Sequence, residues 1–136
     1  MKTSHLTFIV LSAGVSFSLA AQAQNLTKAE YKAEKDKISA TYKTERAACN
    51  SDQGNAKDIC VALAKGKEKV DQANLEERYK PSEKTRYNAH MAKADADYAV
   101  AKERCDDQAK AAKSQCEAAA KATHTQAREE AKAPKK

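Results

Sequence analysis

Two cysteine pairs, each enclosing ten residues, recur in the chain: CNSDQGNAKDIC at 49–60 and CDDQAKAAKSQC at 105–116. A disulfide needs its two Cα atoms within about 7 Å, so whichever bonds form decide where the chain must reverse. Three pairings exist for four cysteines. The local set, Cys49–Cys60 and Cys105–Cys116, staples two hairpins at their turns. The crossed set, Cys49–Cys116 and Cys60–Cys105, ties two halves together, and Cys49–Cys105 with Cys60–Cys116 requires parallel packing.

The N-terminus bears on compartment. MKTSHLTFIVLSAGVSFSLAAQAQ has a positive start at Lys2, an apolar run from Leu6 to Leu19 and a small-residue Ala21-Gln22-Ala23 site. That is the layout of a cleaved secretory signal over residues 1–23, and the run is short for a membrane span. An uncleaved N-terminal anchor is the alternative. The reading implies a chain exported to the periplasm, or alternatively secreted, with no transmembrane span in its mature form. Paired cysteines in a short exported chain are expected to be structural disulfides.

Without residues 1–23 the sequence loses both Phe residues, and its large aliphatics reduce to Leu26, Ile38, Ile59, Val61, Leu63, Val70, Leu75 and Val100, with Met91. So few bulky residues beside so much charge would point toward disorder. The abundance of Ala, Lys, Glu, Gln and Arg argues instead for helix, and the whole chain holds only three Gly and two Pro. Thinly packed helices satisfy both facts. The net charge is +6, or +5 once Lys2 is removed, and the basic residues are interleaved with acids. Interleaving suits solvated helix faces with i,i+4 pairs. A nucleic-acid stripe would be more purely basic, so no nucleic-acid role is expected; weak contact with anionic envelope surfaces is compatible with the charge.

An offset of 56 residues pairs Tyr31 with Tyr87, Tyr42 with Tyr98, Cys49 with Cys105 and Cys60 with Cys116. These residue types are scarce here, so the coincidence reads as an internal duplication. The expected organisation is a first helical hairpin over 24–80, a second over 81–132, and a basic tail at 133–136. The fold class is all-α, about four helices in an elongated or loose coiled-coil-like bundle. Duplication favours the local disulfide set, because each unit would once have folded alone.

Local signals place the helices. Thr27-Lys28-Ala29-Glu30 matches a capping box, flanked by Leu26 and Tyr31 in staple positions. Tyr31, Ile38, Tyr42 and Cys49 then fall on one narrow stripe, and Tyr87, Ala94, Tyr98 and Cys105 repeat it. SDQGN at 51–55 reads as a turn, with Asn55 and Asp58 starting a second helix from about 56 to 79 that uses Ile59, Leu63 and Val70 as its apolar face. Pro81 stops that helix and Ser82 caps the next. The segment 106–115 has neither Gly nor Pro, so one unbroken helix over about 83–132 competes with a second hairpin. In an unbroken helix Cys105 and Cys116 stand about 16 Å apart and cannot bond.

No catalytic motif stands out: there is no G-x-S-x-G, no Gly-rich phosphate loop and no H-E-x-x-H. Scarce apolar bulk also argues against an enclosed pocket. The expectation is a non-enzymatic protein with no cofactor. His90 and His124 read as ordinary surface residues. A soft-metal site of Cys with His90 and Met91 is the alternative, although ten intervening residues is not a usual zinc spacing. The stripe Tyr31, Ile38, Tyr42 and its counterpart Tyr87, Met91, Tyr98 either packs internally or forms an interaction surface.

AQAQN at 21–25, GNAKDIC and KADADYAVAKERCDD resemble small exported proteobacterial proteins rich in Ala, Lys and Glu that are labelled TolA-like. That resemblance covers the mature chain and implies a structural or interaction role at the cell envelope, through an envelope protein or self-association along helix faces. The membrane anchor and C-terminal globular domain of TolA have no counterpart in this sequence. The cysteine brackets are also similar to coiled-coil-helix–coiled-coil-helix proteins, a likeness that implies the crossed disulfides. Leu26-Thr27-Lys28-Ala29-Glu30 is similar to the LTxxQ motif of Spy/CpxP periplasmic stress proteins, with Glu in place of Gln, which implies a stress or holdase role.

Overall fold

The computed structural model describes residues 26–132; the signal sequence expected at 1–23 and the tail expected at 133–136 lie outside them. Four helices follow in order: α1 Lys28–Ala48, α2 Gly54–Tyr79, α3 Glu83–Cys105 and α4 Lys110–Lys132, with a 3₁₀ turn at Cys49–Ser51. The chain is all-α, and its helices pack as two hairpins, each closed by its own disulfide. Cys49 bonds Cys60 and Cys105 bonds Cys116, each pair with Cα atoms 5.6 Å apart. The local pairing is the one present.

Two helix starts, those of α1 and α3, have a side-chain cap. At α1 the Glu30 N–H donates to Thr27 Oγ1 at 3.2 Å, and the Thr27 N–H donates to Glu30 Oε2 at 2.8 Å, completing the expected box. At α3 Ser82 caps as expected: the Thr85 N–H donates to Ser82 Oγ at 3.1 Å, while the Ser82 N–H donates to Thr85 Oγ1 at 2.9 Å. Between α2 and α3 Lys80 leaves helical geometry, at φ −135 and ψ 75, ahead of Pro81, which disfavours helix at the residue before it.

The turns differ from expectation in two ways. Asn55 does not start α2. Gly54 begins it with φ 56, a left-handed value that a glycine adopts without steric cost. The Asn55 side chain instead donates from Nδ2 to the Glu103 carbonyl at 2.8 Å, capping the end of α3 from the neighbouring hairpin. In the second hairpin the unbroken helix does not form. The Asp106 N–H folds back onto the Glu103 carbonyl and the Gln108 N–H onto that of Cys105, and the chain reverses without Gly or Pro. Lys113 Nζ meets Asp106 Oδ1 at 2.9 Å across this turn.

Among the described residues, each helix packs only on its chain neighbours, α1 on α2, α2 on α3 and α3 on α4. The result is an open antiparallel layer of helices. The central pair makes its closest seam. The fully buried residues come from the first turn and from α2 and α3: Cys49, Ala64, Gly66, Leu75, Ala89, Ala94, Val100 and Cys105. None comes from α1 or α4. This revises the expected α2 face. Ile59 and Val70 are half-buried and Leu63 is 48% exposed, because the close approach of α3 at the level of Gly66 and Ala96 favours small residues and turns Ala64 and Gly66 inward. A Cβ added at Gly66 would stand 2.9 Å from Ala96 Cβ.

That contact yields a prediction. Gly66→Ala gains about 1 kcal/mol of helix propensity, but overpacking a fitted seam costs about 1–3 kcal/mol. The net expected in urea unfolding is a loss of about 1 kcal/mol, with the exposed neighbour substitution Lys65→Ala near neutral. A more stable Gly66→Ala chain would show that α2 and α3 are not in close contact there.

Candidate functional site

The cystines set the register of each hairpin, and the register decides which aromatic groups meet. Tyr31 lies 18 residues before Cys49 and Tyr79 19 after Cys60, which brings them opposite one another. Their rings stack with centroids 4.3 Å apart. The Tyr31 hydroxyl donates to Glu76 Oε2 at 2.7 Å, closing the end of the first hairpin remote from its disulfide. Flanking pairs Lys67–Glu45 at 2.9 Å and Arg78–Glu34 at 4.0 Å bind α1 to α2, although such exposed pairs contribute little each.

In the second hairpin Tyr98 lies seven residues before Cys105 and His124 eight after Cys116. Their rings stack nearly parallel, with centroids 4.4 Å apart and planes at 5°. His124 Nε2 lies 2.6 Å from Asp95 Oδ1, and the His124 side chain is only 14% exposed. The reading of His124 as an ordinary surface residue is therefore corrected: it is the polar and aromatic clasp between α3 and α4. Nothing adjacent to it in sequence signals this, because its partners sit 26 and 29 residues away across the turn. The signal that could have found it is the distance from each cysteine. His90, by contrast, is exposed.

The remaining stripe residues do not merge into one surface. Tyr31 and Tyr98 stack within separate hairpins; among the described residues α1 does not pack on α3, although Tyr31 lines a shallow groove over α2 that Thr85 and Asn88 of α3 share. Ile38 lies in a shallow α1–α2 groove beside Lys67 and Arg78. Tyr42 and Met91 are half-buried. Tyr87 lines a groove of ≈ 530 Å³ between α3 and α4, together with His90, Lys93, Asp97, Ala127 and Glu130. Its lining mixes both charge signs with small apolar residues, a surface suited to contact more than to enclosure. Among the described residues, no group of three His, Cys, Asp or Glu could hold a metal ion. The four described cysteines are all in disulfides, so the alternative site of Cys with His90 and Met91 would need them reduced first. No described helix is long and apolar enough to cross a membrane.

No protein-family model matches the chain, and neither a curated protein nor a solved structure matches it.

The hydrogen bond to Glu76 raises the Tyr31 hydroxyl above its ordinary value of 10.0, with burial and the Glu76 charge adding to it. A raised value means that this contribution to stability is whole below the ordinary tyrosine range and is lost as pH rises through the folded value. Spectrophotometric titration should show a component ionising above the ordinary tyrosine range. In Glu76→Gln that component should move down toward that range, and an unchanged curve would mean that the Tyr31–Glu76 bond is absent in solution.

Proposed function

We propose that the protein is an exported, non-enzymatic helical module that works at the cell envelope by offering helix faces to another envelope protein or to a second copy of itself. The observation that carries this reading is the open layer. Two cystine-stapled hairpins lie side by side, and among the described residues their outer helices each pack on one neighbouring helix. A layer built this way has broad faces available for association and no deep cleft for chemistry. Disulfides persist in oxidising compartments, which agrees with the export signal read at 1–23. The duplication at an offset of 56 and the resemblance to TolA-like envelope proteins support the same role.

A second reading, a stress or holdase function, is favoured by one observation. The half-buried residues Ile38, Tyr42, Tyr87 and Met91 line open surfaces and are not sealed in a core. Binding of metal by the reduced cysteines is a further form of that alternative.

Photo-cross-linking separates these readings. A photoreactive amino acid at position 42 or 91, in the protein expressed in its own cell envelope, should give one discrete adduct with a partner or a second copy. A smear of many adducts, together with suppression of aggregation of a reduced, unfolding client at equimolar protein, would transfer the assignment to the holdase role. Absence of any adduct at both positions in the exported protein would contradict both.

A further inference from the structure

The two hairpins have the same cystine but are not built alike. In the first, Asp52 and Gln53 are extended and Gly54 takes a left-handed φ of 56. Tyr31, Glu45 and Glu34 then hold α1 to α2 at three separate levels, through Tyr79 with Glu76, Lys67 and Arg78. Reversal there is written into the backbone and secured along the helices.

The second hairpin lacks the backbone signal, and its lateral ties are fewer: Lys113 with Asp106 at 2.9 Å lies at the turn itself, and one further clasp lies along the helices. No residue between 106 and 109 has a positive φ, and Asp106 is already in right-handed helical geometry at φ −67, ψ −23. Asp106-Asp107-Gln108-Ala109 has no Gly or Pro to stop a helix. No α4 residue is fully buried, a trait it shares with α1. The aromatic and hydrogen-bonded contacts between α4 and α3 that the structure shows pass through one residue, His124, to Tyr98 and Asp95. A continuous helix would also place Asp106 four residues before Lys110, the favourable order for an i,i+4 ion pair.

We infer that the Cys105–Cys116 disulfide is a conformational switch: closed, it folds α4 back on α3, and reduced, it lets α3 and α4 join into one continuous helix. The reductant is a dithiol. Its thiolate attacks the sulfur of Cys116, which is half-exposed while Cys105 is fully buried, and Cys105 leaves as a thiolate that takes a proton. The mixed disulfide is resolved by the reductant's second thiol, which ends as its own disulfide, and Cys116 becomes the second free thiol. Two electrons and two protons pass to the protein. The Cα separation then grows from 5.6 Å to about 16 Å, and residues 83–132 form a rod of about 75 Å. Opening uncovers the α3 face beneath α4, including Ala94 and Tyr98. This inference goes beyond the proposed envelope role and does not depend on it.

The test is small-angle X-ray scattering and far-ultraviolet circular dichroism on the full exported chain, before and after a dithiol reductant. The same measurements are made on Cys105→Ser/Cys116→Ser and on Cys49→Ser/Cys60→Ser. Reduction, and the 105/116 variant without reductant, should raise the maximum dimension about 1.5-fold with helical signal held or increased. The 49/60 variant should keep its dimension. An unchanged dimension in the reduced chain would overturn the inference, since His124 and its contacts would then suffice to hold the hairpin. So would an increase accompanied by loss of about a quarter of the helical signal, α4's share of the helical residues, because α4 would then have melted instead of joining α3.

Discussion

A disulfide across a helix–helix turn does two things at once: it keeps the hairpin closed, and it fixes the register of one helix against the other. Both cystines here bridge eleven positions with Cα atoms 5.6 Å apart, and each has one fully buried member. Closing a loop of this size contributes about 3 kcal/mol in the chain-entropy account. That is a large share of the roughly 5–15 kcal/mol by which folded domains are stable. The lateral contacts inherit their geometry from this register. Tyr31 meets Tyr79 and Tyr98 meets His124 because each pair stands nearly equal distances from its cystine.

The join between hairpins follows a different principle. No disulfide among the described residues links α2 to α3, and the seam is made by close approach, with Gly66 against Ala96 and Leu75 as its bulkiest fully buried side chain. Small residues give up transfer energy per side chain but let two backbones approach closely, so many weak dispersion contacts accumulate. The stability of the layer is therefore uneven. Its centre rests on packing, whereas its edges, α1 and α4, rest on cystines and a few lateral clasps. An edge helix that depends on a bond which chemistry can break is what makes the second hairpin a candidate for redox control.

Much of this architecture was legible in the sequence. The Thr27–Glu30 box, the Ser82 cap and the stop at Pro81 are local chemistry, and local chemistry is readable because its partners are three residues apart. The cysteine spacing and the offset of 56 carried the hairpins. What escaped depends on which helix faces which. Leu63 was expected inside and lies outside, because the tight α2–α3 seam selects Ala64 and Gly66 over a larger neighbour. His124 was read as exposed because its partners are distant in sequence, and Asn55 was read as a helix start although its side chain serves the end of α3. Each miss was decided by tertiary contact.

The fold stands most directly on the two local cystines. Non-reducing proteolysis of the full chain isolated with its thiols blocked, followed by mass spectrometry of the linked peptides, reads them without further assumption. Peptides joined through Cys49–Cys60 and Cys105–Cys116 are the predicted result. Crossed links, Cys49–Cys116 with Cys60–Cys105, or four free thiols, would contradict it and with it the register on which the aromatic clasps and the open layer depend.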